Sequence, residues 1–263
     1  MRTKLVVANW KMNMTQPEAA VAAEAMGRMF DDRKDVDVVV CPPYLSIYRV
    51  RDILRNSAVK IGAQDVFWVD KGAFTGQVSA PMLVDAGVTF CIVGHSETRG
   101  RFGKLEVPES TLSHFGETDE TVNLKIKALL FQSVSPILCV GETDAERQAG
   151  QTDAVIRRQI EAAFEGIESA ELFFTSIAYE PVWAIGTGNT CDAAEAERVC
   201  AMIRGVVEGL YGSDLAGEIL ILYGGSVKSS NARELFSQPN IDGGLVGGAS
   251  LDYNEFAKIV QCA

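Results

Sequence analysis

Residues 90–97 read FCIVGHSE: four apolar residues, then a glycine and three polar side chains. The run is too short for a helix and lacks the alternation of a strand with one wet face. It predicts a strand buried on both faces, as in a parallel sheet. The same pattern recurs in both directions. Upstream lie LVVANW (5–10), DVVVCPP (37–43) and VKIGAQD (59–65); downstream lie PILCVGE (136–142), SIAYEP (176–181), ILILYGG (219–225) and GGLVGGA (243–249). Helical patterns with start signals fill the intervals. Thr15 with Glu18, and Asp192 with Glu195, have the spacing in which an N-cap and an N3 carboxylate satisfy each other's backbone amides. Val155, Ile156, Ile160, Ala163, Phe164 and Ile167 recur every three to four residues and predict one inward-facing apolar stripe.

Eight strand–helix units in 263 residues predict an α/β chain folded as a (β/α)8 barrel, eight parallel strands surrounded by helices. A doubly wound open sheet is the alternative arrangement. No Pro- or Ser-rich linker divides the chain, so the expectation is a single domain over residues 1–263.

Composition narrows the function. Lys plus Arg number 24 and Asp plus Glu 35, a net charge of −11, which argues against a nucleic-acid partner, whose binding needs clustered cations. No stretch approaches the ~18 apolar residues of a membrane span, so no membrane partner is expected. The N-terminal apolar run is too short for an export signal. Six scattered cysteines, without CxxC or paired histidine spacing, write no metal site; they read as reduced thiols of a cytoplasmic protein.

In a barrel of this kind the carboxyl ends of the strands converge on one face, so polar residues interrupting those ends carry the chemistry. They are Asn9 and Lys11 after the first strand, His95 and Glu97 after the fourth, and Glu180 after the sixth. The last two strands end in glycine-rich turns, YGGSV (223–227) and LVGGA (245–249), whose backbone amides can cradle an anion. A carboxylate, an imidazole, a lysine and a phosphate nest on one face predict proton transfer on a small phosphorylated substrate.

Together these residues resemble a known family. NWK (9–11), AQD (63–65), GAFTG (72–76), GHSE (94–97), CVGE (139–142), YEPVWAIGTG (179–188), YGGS and LVGGASL are similar, in order and over nearly the whole chain, to the triosephosphate isomerases. The resemblance implies a cofactor-free TIM-barrel isomerase of glycolysis and gluconeogenesis, with a triose phosphate as substrate and no metal. It implies that Glu180 moves the carbon-bound proton, that His95 polarises the substrate oxygens, and that Lys11 faces the developing negative charge. This family is itself the standard illustration of a histidine acting as neutral imidazole and of a lid closing over substrate. Asn9 would orient the substrate, Glu97 would position Lys11, and amides of Gly186, Ser226, Gly247 and Gly248 would hold the phosphate. The lid would be Pro181–Gly188. A homodimer is implied because Thr75, in the intact GAFTG loop, completes the neighbouring subunit's site in this family. The other readings are a different phosphate-binding barrel isomerase and a non-catalytic binding barrel. The first is not expected to reproduce these motifs together, and the second is expected to have lost Lys11, His95 or Glu180.

Three departures stand out. GHSETR replaces the family's usual GHSERR, so Thr98 stands for an arginine, and Gln77 replaces a glutamate after GAFTG. In the family these charges pair across the dimer interface; replacing both partners is far less costly than stranding one. GRFGKLEVPESTLSH (100–114) lengthens the loop after the fourth strand by about a dozen residues, near the length at which structureless loops become uncommon. The expectation is that Phe102, Leu105, Val107 or Leu112 rebuilds the subunit interface; a tolerated surface insertion is the alternative. The lid continues into Asn189 and Cys191 where the family normally has lysine and alanine, a change placed to alter its opening.

Overall fold

The computed structural model describes residues 2–31, 33 and 35–263. Its strands are β1 Lys4–Asn9, β2 Val36–Cys41, β3 Lys60–Ala63, β4 Phe90–Val93, β5 Ser135–Val140, β6 Ser176–Tyr179, β7 Leu220–Tyr223 and β8 Gly243–Val246. Each pairs in parallel with the next, and β8 returns to β1 to close the barrel. The open-sheet alternative is therefore excluded. Helices α1 Gln16–Phe30, α2 Ile47–Leu54, α3 Ala80–Asp85, α4 Asp119–Phe131, α5 Asp144–Gln148, α6 Thr152–Ala163, α7 Ala193–Tyr211, α8 Ser213–Glu218, α9 Ala232–Phe236 and α10 Tyr253–Val260 surround it.

The expected reciprocal box forms at Thr15; at Asp192 only the N-cap half does, because the Glu195 carboxylate is taken by Arg198. The Thr15 amide donates to Glu18 at 2.7 Å, and Asp192 accepts the Glu195 amide at 2.8 Å. The apolar stripe that begins at Val155 runs past the end of α6. Phe164 and Ile167 are buried from the turn that follows.

Alternation along the strands builds two cores. Leu5, Val7, Val39, Cys41, Ile92, Ile137, Cys139, Ala178, Leu222 and Leu245 point inward and fill the barrel; their neighbours in sequence face the helices. The inward series continues with period two beyond the last apolar layer. In β1 it passes from Leu5 and Val7 to Asn9, in β6 from Ala178 to Glu180, in β7 from Leu222 to Gly224, and in β8 from Leu245 to Gly247. Polar and glycine positions thus crown the barrel interior at its carboxyl end.

The opposite end is tied by charge. Asp242, just before β8, receives Arg2 and Arg204, both at 2.7 Å, and the amide of Ile221 at 3.0 Å. The Lys4 ammonium caps the carbonyls of Phe236 and Ile241 at 2.9 and 2.6 Å.

Among the described residues, no helix is long and apolar enough to cross a membrane. Five cysteines are buried and Cys262 is partly so, all unpaired.

Candidate functional site

A cavity of about 960 Å³ lies over the carboxyl ends of the strands. Nine of the ten residues expected at the site line it: Asn9, Lys11, His95, Glu97, Glu180, Gly186, Ser226, Gly247 and Gly248. Thr75 does not. It lies in the exposed loop between β3 and α3, beside an exposed Phe74.

Lys11 has a left-handed backbone, φ 51°, an arrangement that costs a non-glycine residue on the order of 1 kcal/mol or more. Two contacts enforce it: the Lys11 amide donates to Asn9 Oδ1 at 3.0 Å and Gln64 Nε2 donates to the Lys11 carbonyl at 2.8 Å. The turn aims the side chain across the cavity, where Nζ meets Glu97 Oε1 at 2.6 Å. A Cβ on Gly247 would lie 3.2 Å from Lys11 Cε, so the bare glycine leaves the lysine stem its path.

The tautomer of His95 follows from its neighbours. The Glu97 amide donates to Nδ1 at 3.1 Å, which leaves the ring proton on Nε2. That nitrogen lies 3.0 Å from Glu180 Oε1. Glu180 Oε2 accepts the Ser96 amide at 2.9 Å, and the Ser96 hydroxyl donates to Oε1 at 3.2 Å. Both residues are buried. Burial alone pushes the Glu180 carboxyl up, but the His95 ring and the Ser96 amide outweigh it and hold it below its ordinary value. Burial likewise pushes the imidazole down, and the adjacent carboxylate brings it back above its ordinary value. With Nδ1 accepting from Glu97, the pair in this arrangement is a neutral imidazole donating to a carboxylate; a second proton, taken up as pH falls, goes to Nδ1 and breaks that bond.

The expected anion cradle is made of backbone. Gly247 precedes a short 3-10 turn, Gly248–Leu251, and among the described residues no protein acceptor takes the amides of Gly186, Ser226, Gly247 or Gly248. Such free N–H groups suit a phosphate. They also explain how a chain of net charge −11 can present a site for an anion: the attraction is local.

The segment expected to form a lid begins at Pro181, directly after Glu180. Trp183 Nε1 donates to Glu142 Oε1 at 2.9 Å and stacks under the Arg147 guanidinium at 4.0 Å. Burial pushes the Glu142 carboxyl up, although its bonds from Trp183 and Tyr179 oppose this. Just beyond that segment Cys191 is buried, its thiol pushed up to about 12 by desolvation, and so unreactive.

The changed charges are accommodated within the chain. Thr98 Oγ1 approaches both Glu117 Oε2, at 2.5 Å, and the His95 carbonyl, at 2.8 Å; its single proton serves one at a time. Glu117 keeps a cation, because Lys125 bridges it and Asp65 at 2.5 and 2.6 Å. Burial raises the Asp65 carboxyl, and Glu117 adds to this against the pull of Lys125. Gln77 is exposed. The insert carries a 3-10 turn, Glu109–His114, in which His114 meets Phe115 edge-on at 5.2 Å.

Sequence reasoning did not single out Ser96, Gln64 or the Trp183–Glu142 tie. All four residues lie inside the family-like motifs, but their partners are distant in the chain.

A barrel with a carboxylate, a neutral imidazole, a lysine and free amides around one cavity is the framework of an enzyme acting on a small anionic substrate. A family model described as triosephosphate isomerase matches residues 4–263. Triosephosphate isomerase of Acetivibrio thermocellus is 46% identical over 261 residues, covering 99% of this chain and 98% of that one. The Moorella thermoacetica protein of the same name is also 46% identical over 261 residues, covering 99% of each. That of Alkaliphilus oremlandii is 43% identical over 263 residues. The chain belongs to the triosephosphate isomerase family and is an isomerase.

Proposed function

We propose that Glu180, His95 and Lys11 carry this chain's interconversion of D-glyceraldehyde 3-phosphate and dihydroxyacetone phosphate, the step shared by glycolysis and gluconeogenesis. The observation that carries the assignment is the His95 ring. Its Nδ1 is occupied by the Glu97 amide, so Nε2 presents an N–H towards the cavity beside the Glu180 carboxylate.

In the reaction Glu180 takes a proton from the carbon next to the substrate carbonyl, leaving an enediolate, and returns it to the neighbouring carbon. The His95 Nε2–H donates to the substrate oxygens and relays their proton between them. Lys11 Nζ, fixed by the left-handed turn and by Glu97, faces the oxygen on which charge accumulates, where a preorganised cation is most effective. Asn9 sets the substrate's orientation. The amides of Gly186, Ser226, Gly247 and Gly248 hold the phosphate.

Glu180 must release Ser96 and His95 to reach the carbon. Those are the bonds that keep its carboxyl low, while burial, which pushes it up, remains. Movement into the cavity therefore makes Glu180 a stronger base at the moment it acts. Closure of the lid over the phosphate would couple the two motions, because Pro181 adjoins Glu180, and would protect the enediolate from losing phosphate.

Thr75 belongs in this reading to a neighbouring subunit's site, with the chain a homodimer of single barrel domains working in the cytoplasm. Exposed Met12, Leu45 and Phe74, in the segments after β1, β2 and β3, and Met82 on α3 supply the apolar contact such a dimer needs. A coupled assay for conversion of glyceraldehyde 3-phosphate tests the activity, and sedimentation velocity tests the dimer. Isomerisation that survives His95→Asn or Glu180→Gln at near-full rate would overturn the roles assigned here.

A further inference from the structure

The inserted loop reaches the lid. Arg101, Phe102 and Gly103 line the same cavity as Lys11 and Glu180, and their position is fixed from below. The Arg101 amide donates to the Ser96 carbonyl at 2.8 Å, and its guanidinium donates to the Gly141 carbonyl at 3.1 Å and pairs with Glu146. Phe102 meets Phe115 edge-on at 5.3 Å. Across from this clamp lies the lid. A Cβ on Gly103 would fall well inside van der Waals distance of the Val182 and Ile185 carbonyl oxygens, and 3.0 Å from Thr187 Cγ2. Gly103 is not among the left-handed glycines, so space alone excludes a side chain there.

The lid touching Gly103 is the open one. Residues 186–190 are exposed. Among the described residues no backbone hydrogen bond joins them to the loops after β7 and β8, and Glu180 still rests on Ser96 and His95. We propose that Gly103, clamped by Arg101, is the seat of the open lid, a positioning residue that sets the balance between open and closed forms. The inference rests on residues 181–188 being a lid that closes over phosphate.

The sign of its effect is fixed by which state makes the contact. A side chain at position 103 crowds only the open lid. The clamp keeps the insert in place, so the lid is what yields, and the population moves towards the closed form. Apparent affinity rises with the fraction of the binding-competent state. Where opening limits release, turnover falls with it.

The test is Gly103→Ala, read by Trp183 emission during titration with glycerol 3-phosphate, a phosphate monoester that does not react. The dissociation constant is expected to tighten by about threefold or more, with kcat and KM falling together and the thermal midpoint unchanged. Glu146→Gln, which loosens the clamp without touching the cavity, is expected to shift the constant the same way by less. A wild-type protein that responds to the probe beside a Gly103→Ala protein with an unchanged or weaker constant overturns the seat and leaves the lid intact. A wild-type protein whose Trp183 emission ignores the probe overturns the lid reading and this inference with it.

Discussion

The Nε2 of His95 lies 3.0 Å from the Oε1 of Glu180, and the contact links the stability of the fold to the protonation of its site. The Glu180 carboxyl sits below its ordinary 4.5 in the folded chain. Its contribution is present above 4.5 and is lost as pH falls through the lower folded value. The His95 imidazole sits above its ordinary 6.5, so its contribution is complete below 6.5 and is lost as pH rises through the higher folded value. The two overlap between those limits. Thermal melts of wild type and Glu180→Gln across pH should show the largest wild-type advantage between 4.5 and 6.5, shrinking on either side. A difference independent of pH would refute the coupling.

Glu180→Gln also isolates the chemistry. The amide keeps an oxygen for the Ser96 N–H but cannot accept a carbon-bound proton. Turnover should fall by about two to four orders of magnitude, while the affinity for glycerol 3-phosphate, held by backbone amides elsewhere, stays close to wild type. Isothermal titration beside a steady-state assay separates the two.

Lys11 sets function against backbone comfort. Its φ of 51° suits glycine, and the Asn9 and Gln64 bonds that impose it use backbone atoms of residue 11, which glycine retains. Lys11→Gly should therefore melt no lower than Lys11→Met. Both should lose turnover by roughly two orders of magnitude or more, since each removes the cation over the cavity. A melting point for Lys11→Gly well below that of Lys11→Met would show that the left-handed turn carries no strain.

The barrel was legible because its strands are buried on both faces. FCIVGHSE and ILILYGG have no polar alternation to confuse with a helix face, and the residue two positions past the last inward side chain falls on the site, as Asn9 and Glu180 do. What escaped the sequence was set by distant partners. Ser96 matters through Glu180, 84 residues away, and the path of the insert is directed by Arg101 reaching Gly141 and Glu146, 40 and 45 residues on. Apolar Leu105 and Val107 suggested an interface; both remain exposed on this chain. The point at which the loop meets residues 182–187 is Gly103, which has no side chain to advertise it. The pairing of Glu117 with Lys125 was hidden in the same way, since the lysine sits inside α4, where a charge ordinarily reads as solvated.

Asp242 tests the division of labour between the two ends of the barrel. Conservation of activity at one end does not depend on charge at the other, since the active face is built from loops at the carboxyl ends of the strands. Asp242 is buried and answers two arginines and a backbone amide. Asp242→Ala leaves Arg2 and Arg204 facing each other without their carboxylate, the situation in which breaking a buried pair costs about 3–5 kcal/mol. Asp242→Asn keeps acceptor capacity for one partner and should cost less. Urea unfolding should place the variants in that order below wild type, with kcat/KM of the folded fraction unchanged. A fall in kcat/KM that matches the loss of stability would mean that the ion cluster at the amino-terminal end helps to shape the cavity some two core layers above it.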